Sequence, residues 1–252
     1  MSKCRWIANR LCSMLLAAGV LAGSAQAREI TCYSTQFPPY VIENGNHIAG
    51  IDVDIVKEAG RRAGVEVKFR LLPWVRLENE IRRGAASTVE CAFAYTSNDS
   101  RKTYMDFMQV PLKVTMYTLF AKRGRFAGGL AELKGKTIGL RRGFIVPGEF
   151  EAMRKRQEVV IEETDSDISN FRKLTLERID GIITNADVGR AVLAGMDSSE
   201  IVAVEPAIVQ TPTFLVFNKA RNLSSLATAF DKALLEMQSD GSVNQIRLKY
   251  LR

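Results

Sequence analysis

The chain opens with an apolar run from about Leu11 to Leu21, preceded by Lys3, Arg5 and Arg10 and followed by small residues ending in Ala25-Gln26-Ala27. A positive segment, an apolar segment and a small-residue segment in that order form the pattern of a cleavable secretory signal. The run falls well short of the roughly 20 residues that span a bilayer. Residues 1–27 are therefore expected to be removed by cleavage after Ala27, leaving a soluble exported chain.

From there two periods alternate. Ile30-Thr31-Cys32-Tyr33, Val65-Glu66-Val67-Lys68-Phe69, Val89 to Tyr95 and Val114 to Lys122 read as strands, by alternation or by short apolar runs rich in β-branched and aromatic residues. Between them the apolar positions Ile55, Val56, Ala59 and Ala63 recur at helical spacing, from a start near Val53 that Asp52 is placed to cap to an end at Gly64. Pro73-Trp74 opens a second helix, closed at Gly84, with Leu77 and Ile81 on one face. Asn44-Gly45 is a hairpin signal, and Asn98-Asp99-Ser100 supplies capping side chains ahead of Arg101. The second half repeats the order: strands at Thr137–Leu140, Val159–Glu162, Ile179–Ile183 and Thr213–Asn218, helices from about Pro147, over Asp165–Leu176 and over Leu223–Met237. Alternating strands and helices predict an α/β architecture, and its repetition predicts two α/β lobes with a cleft. Ligands of such sheets lie beyond the carboxyl ends of strands, so site residues are expected there.

Charge changes less than it first suggests. The 35 basic residues less the three in the leader leave 32 against 28 acidic residues, a net charge of +4 in place of +7. The basic pairs Arg61-Arg62, Arg82-Arg83 and Arg141-Arg142 are scattered and lack interleaved aromatics, so nucleic acid is not expected as a partner. The spacing of the chain's cysteines does not suit zinc, and no cofactor or metal site is expected. Cys32 and Cys91 remain after processing; a bridge would close a loop of about 60 residues, while two separately buried thiols are the favoured reading, since strand geometry often forbids bridging.

Six short segments resemble bacterial extracellular (periplasmic) solute-binding proteins of the amino-acid-binding type, family 3: Phe37-Pro38-Pro39-Tyr40, Gly50 to Ile55, Pro73-Trp74-x-Arg76, Glu90 to Arg101, Leu133 to Gly139 and Arg178 to Ile183. They follow in the family's order, and Pro-Trp-x-Arg resembles one subgroup. The resemblance implies a two-lobed periplasmic-binding-protein fold of type II. Lobe 1 would comprise residues 28–118 and 213–252 and lobe 2 residues 119–212, joined by two crossing strands. It further implies a monomer that captures a small polar solute, an amino acid or related carboxylate, for an inner-membrane ABC transporter permease.

By the same resemblance Arg101 would grip a ligand carboxylate, for which the guanidinium fork suits two parallel hydrogen bonds. Tyr40, beside Phe37, would pack an aromatic face on the solute, and Trp74 and Arg76 would open a helix at the cleft. Tyr95, Thr96 and Asn98 end the strand before Arg101. In lobe 2, Gly143 and Phe144 precede a helix start whose amides are placed to meet an anion. Asn185 replaces the acid that usually neutralises a ligand amine, which points away from a cationic amine; Asp187, two residues on, reads as an N-cap or a surface charge. No catalytic residue is expected. The rival readings are a lyase on the same scaffold, like periplasmic cyclohexadienyl dehydratase, with Glu43, Glu90 or Glu149 as acid and His47 in an exposed turn, or a solute-sensing module for a membrane receptor.

Overall fold

The computed structural model describes residues 28–251 except Asp197, so the expected cleavable signal, residues 1–27, lies outside the described residues. In chain order the elements are β1 (Arg28–Ser34), β2 (Ile42–Asn44), β3 (His47–Ala49), α1 (Ile51–Arg62), β4 (Val65–Leu71), α2 (Trp74–Arg82), β5 (Cys91–Thr96), α3 (Asp99–Lys102), β6 (Met105–Phe107) and β7 (Lys113–Lys122). There follow β8 (Thr137–Arg141), α4 (Glu149–Lys155), β9 (Val160–Thr164), α5 (Asp167–Thr175), β10 (Gly181–Asn185), α6 (Ala186–Ala194), β11 (Ile201–Asn218), α7 (Ser224–Ser239) and α8 (Ser242–Tyr250).

The main sheet runs β4-β1-β5-β11-β7-β10-β8-β9, with β6 also on β11. β4, β1 and β5 are mutually parallel, as are β10, β8 and β9, and the antiparallel pair β11 and β7 bridges the two triplets. Each triplet has its own apolar packing. Ile30, Val53, Val56, Phe217, Phe230 and Met237 fill one side of the molecule, and Leu119, Ile138, Leu140, Phe150 and Ile183 the other. The fold is the mixed α/β arrangement expected, and the bridge explains how one sheet serves two cores: β11 pairs with β5 of the first triplet, β7 with β10 of the second, and the two pair with each other.

Several local expectations are corrected. β11 begins at Ile201, not near Thr213; Pro206 and Pro212 look like strand breakers in sequence, but Pro206 falls in the irregularity between Val204 and Val209, which breaks the pairing register. Helix α1 starts at Ile51 behind Gly50, and Asp52 is no cap. Gly50 has φ of +126°, and a Cβ there would collide with the Tyr40 carbonyl, so glycine is required. α6, β6 and α8 have no counterpart in the sequence reading.

Cys32 and Cys91 form a disulfide, which overturns the reading of separate thiols. They are register partners on neighbouring parallel strands β1 and β5, with Cα atoms 4.5 Å apart, inside the range a bridge needs. Both are fully buried. The bond ties together the two strands whose carboxyl ends carry Ser34 and Thr96.

Candidate functional site

Where the first triplet, the bridging strands and the loop after β8 meet, a small cavity of about 30 Å³ lies under Trp74 and Phe144. That is room for about two water molecules. Strand alternation builds one wall: Lys113, Thr115 and Tyr117 are successive inward positions of β7, with Thr213 of β11 opposite Lys113. Ser34 ends β1 and Thr35 follows it, while Ala94 and Thr96 belong to the end of β5. Ala94 adopts φ of +71°, beside the irregularity in β5–β11 pairing between Phe214 and Leu215; such a backbone is strained for a residue with a Cβ and turns the chain toward the cavity.

Arg101 lies in the cavity wall, 3 % exposed, as the sequence anticipates. Its fork is not free. Nε and Nη2 donate to Glu78 at 3.4 and 3.3 Å, and Nη1 donates twice to Thr96, to the carbonyl at 3.0 Å and to Oγ1 at 2.9 Å. Of five N–H donors, one on Nη2 remains for a ligand. The guanidinium also stands 5.0 Å from the Tyr95 ring centroid and 5.6 Å from that of Trp74. The arrangement offers one strong charge-assisted hydrogen bond and a two-pronged grip only after Glu78 lets go.

Lys113 is the cation that sequence reasoning missed. It is buried, lines the cavity, makes an ion pair with fully buried Asp52 and holds its ammonium 3.5 Å above the Tyr40 ring centroid. Burial pushes the Asp52 carboxyl up and the Lys113 ammonium down, each opposed by the partner's charge. Asp52 Oδ1 has no hydrogen-bond partner. A lysine at the first position of an apolar strand reads as an edge charge, and its partner lies 61 residues away, so only the period-two pattern Lys113-x-Thr115-x-Tyr117 carried a signal.

Four hydrogen bonds from three side chains join the two sides of the cleft. Trp74 Nε1 donates to the Gly143 carbonyl at 3.1 Å, Arg141 donates to the Gln36 carbonyl at 2.7 Å and to Thr35 Oγ1 at 2.9 Å, and the Tyr40 hydroxyl donates to Asp187 Oδ2 at 2.5 Å. Burial, then the bond to Asp187, drives the Tyr40 hydroxyl well above its ordinary pKa, so it stays a donor. Gly143 has φ of +74°, and a Cβ there would press on Val75 and Trp74 at 3.0 and 3.1 Å.

The structure therefore brings together Arg101, Trp74, Thr96 and Phe144, with Gly143 bonded to Trp74 at the rim, and places the other expected residues elsewhere. Tyr40 is a layer below the cavity, under Lys113. Tyr95 is fully buried and stacks behind Trp74 at 4.5 Å between ring centroids. Arg76 is exposed on α2, because helical spacing turns it away from the face of Trp74 and Leu77. Asn98 caps α3 by accepting from the Arg101 amide and lines an outer groove with Ile145 and Pro147. Asn185 is the N-cap of α6, its Oδ1 accepting from the Asp187 and Val188 amides, so the cap expected of Asp187 is made by Asn185, and Asp187 serves Tyr40 and Arg190 instead. Helix α4 begins at Glu149, where the sequence places it, but the Phe144 amide closes a turn onto the Arg141 carbonyl and so is not free for an anion. The three acids offered for catalysis, Glu43, Glu90 and Glu149, are absent from the cavity lining, and His47 sits in an exposed turn as expected. His47 and Glu43 are exposed on the β2–β3 hairpin, Glu90 accepts the Thr31 amide, and exposed Glu149 pairs with Arg156.

The profile of bacterial extracellular solute-binding proteins, family 3, matches residues 30–252. A curated relative, the arginine-binding extracellular protein ArtP of Bacillus subtilis, is 22 % identical over 228 residues, covering 90 % of this chain and 87 % of that protein. Among solved structures, an ancestral arginine-binding protein bound to arginine superposes with a TM-score of 0.76 at 23 % identity, covering 89 % of this chain and 98 % of that one. A histidine kinase sensor domain with similarity to periplasmic binding proteins gives a TM-score of 0.76 at 20 % identity, covering 89 % of this chain and 96 % of that one. With the profile spanning nearly the whole chain, over a fold of two parallel triplets bridged by β7 and β11, this protein belongs to the bacterial extracellular solute-binding proteins of family 3.

Proposed function

We propose that the protein captures one small polar solute, an amino acid or related carboxylate, between its two lobes and delivers it to an inner-membrane ABC transporter permease. The observation that carries this reading is the position of Arg101: a buried cation with one remaining donor, in a hydroxyl-lined cavity bordered by residues from both sides of the cleft. The lobes are residues 28–118 with 213–252, and 119–212. Opening between them admits the solute, and the Trp74–Gly143, Arg141–Thr35 and Tyr40–Asp187 contacts re-form as the cleft closes. The protein acts as a monomer in the periplasm after cleavage behind Ala27. Relatives named for arginine and histidine binding support an amino acid or its analogue as the cargo class. A lyase reading has less support, since the acids it would draw on stand away from the cavity.

A ligand bound only by the folded state raises the melting temperature in proportion to its concentration over Kd. Arg101→Ala is expected to abolish the thermal shift produced by the cognate solute, whereas Arg101→Lys keeps the charge but not the planar fork and should retain part of it. An unchanged shift in Arg101→Ala would remove Arg101 from the site.

A further inference from the structure

The charges around the cavity have a consistent order. Two ionised side chains line it, Arg101 and Lys113, and both are cations; among the described residues no acidic side chain does. Each nearby carboxylate stands behind a cation or a donor. Glu78 is held by Arg101 and by the Tyr104 hydroxyl, and Asp52 by Lys113. Asp187 is held by Tyr40 and Arg190, and Asp167 accepts from Thr184 Oγ1 at 2.7 Å with Arg141 3.7 Å away. In the Arg101–Glu78 and Lys113–Asp52 pairs it is the cation, and not the carboxylate, that borders the cavity. A carboxylate entering the cavity meets the spare Nη2 hydrogen of Arg101, the Lys113 ammonium and the hydroxyls of Thr115, Tyr117 and Thr213. An ammonium entering it meets two cations and finds only hydroxyl and carbonyl oxygens to accept from it. Burying a cation without a counter-charge, beside others of its sign, is strongly unfavourable.

Resting on the solute-capture reading above, we propose that the cargo is a small carboxylate without a cationic amine: a hydroxy, oxo or dicarboxylic acid in preference to an α-amino acid.

The test is calorimetric titration of the wild-type protein with matched pairs that differ in the amine: succinate against aspartate, 2-oxoglutarate against glutamate, lactate and pyruvate against alanine, with arginine alongside. The expected result is that the amine-free member of at least one pair binds at least about tenfold more tightly than its amino counterpart, and that arginine gives no heat. An α-amino acid that binds as tightly as its amine-free partner, or more so, overturns the assignment of the cargo while leaving solute capture standing. Heat accompanied by chemical conversion of the titrant overturns solute capture and this assignment with it, as does the absence of binding by every compound in the set.

Discussion

Replacing Lys113 by Met is expected to cost about 3–5 kcal/mol of stability, the range for removing one partner of a buried ion pair. Asp52 is fully buried, and among the described residues its Oδ2 is held by Lys113 alone and its Oδ1 has no partner, so the variant strands an uncompensated carboxylate in a dry site. The pH dependence fixes the cause. In the variant the folded-state pKa of Asp52 is raised further, by burial without the opposing cation, while in the unfolded chain it stays near its ordinary 3.8. A raised folded-state pKa means the penalty is absent below the unfolded pKa and grows as pH rises from there toward the folded one. The deficit measured by urea denaturation should therefore shrink toward pH 4 and widen toward neutrality. Adding Asp52→Asn should recover much of the loss. A single variant with wild-type stability at pH 7, or a deficit that does not change with pH, would show that Asp52 and Lys113 are not paired in the folded protein.

The Cys32→Ala/Cys91→Ala double variant is expected to lose about 4 kcal/mol, the chain-entropy value for a closed loop of about 60 residues. For a chain of this size that lowers the melting temperature by about 10 °C or more. Because the bridge joins β1 and β5 next to Ser34 and Thr96, the variant should also bind its solute less well at temperatures where the wild type is fully folded. Calorimetric unfolding of the oxidised protein, the reduced protein and the double variant checks this; agreement of all three within about 1 kcal/mol would show that the bridge contributes nothing to the folded state.

Which features the sequence made legible follows from how local their physics is. The parallel triplets came from β-branched runs and alternation, and Trp74, Thr96, Phe144 and Arg101 from short motifs at strand ends. What escaped depends on partners distant in sequence. Whether Cys32 and Cys91 bridge is decided by the register that sets β1 beside β5, which no spacing reveals. Asp52 looks like a helix cap until the fold brings Lys113 against it. Helix α6 is hard to see in sequence because Asn185 suits a ligand contact as well as an N-cap, and only the fold shows it capping. Arg101 shows the same limit from the other side: a motif places the guanidinium, but only the structure reveals that Glu78 and Thr96 already take most of its donors.

The central claim is that a solute is held, unaltered, between Trp74 and the cations beneath it. Of the two tryptophans, Trp6 lies within residues 1–27, so the chain without those residues carries Trp74 as its sole indole, bonded across the cleft to Gly143. Titration of that chain with the tightest-binding carboxylate, followed by its fluorescence and by mass spectrometry of the recovered ligand, tests the claim directly. The account predicts a saturable change in Trp74 emission at one solute per chain and recovery of the ligand with its mass unchanged; a ligand returned as a different compound, or binding that leaves Trp74 emission untouched, would contradict it.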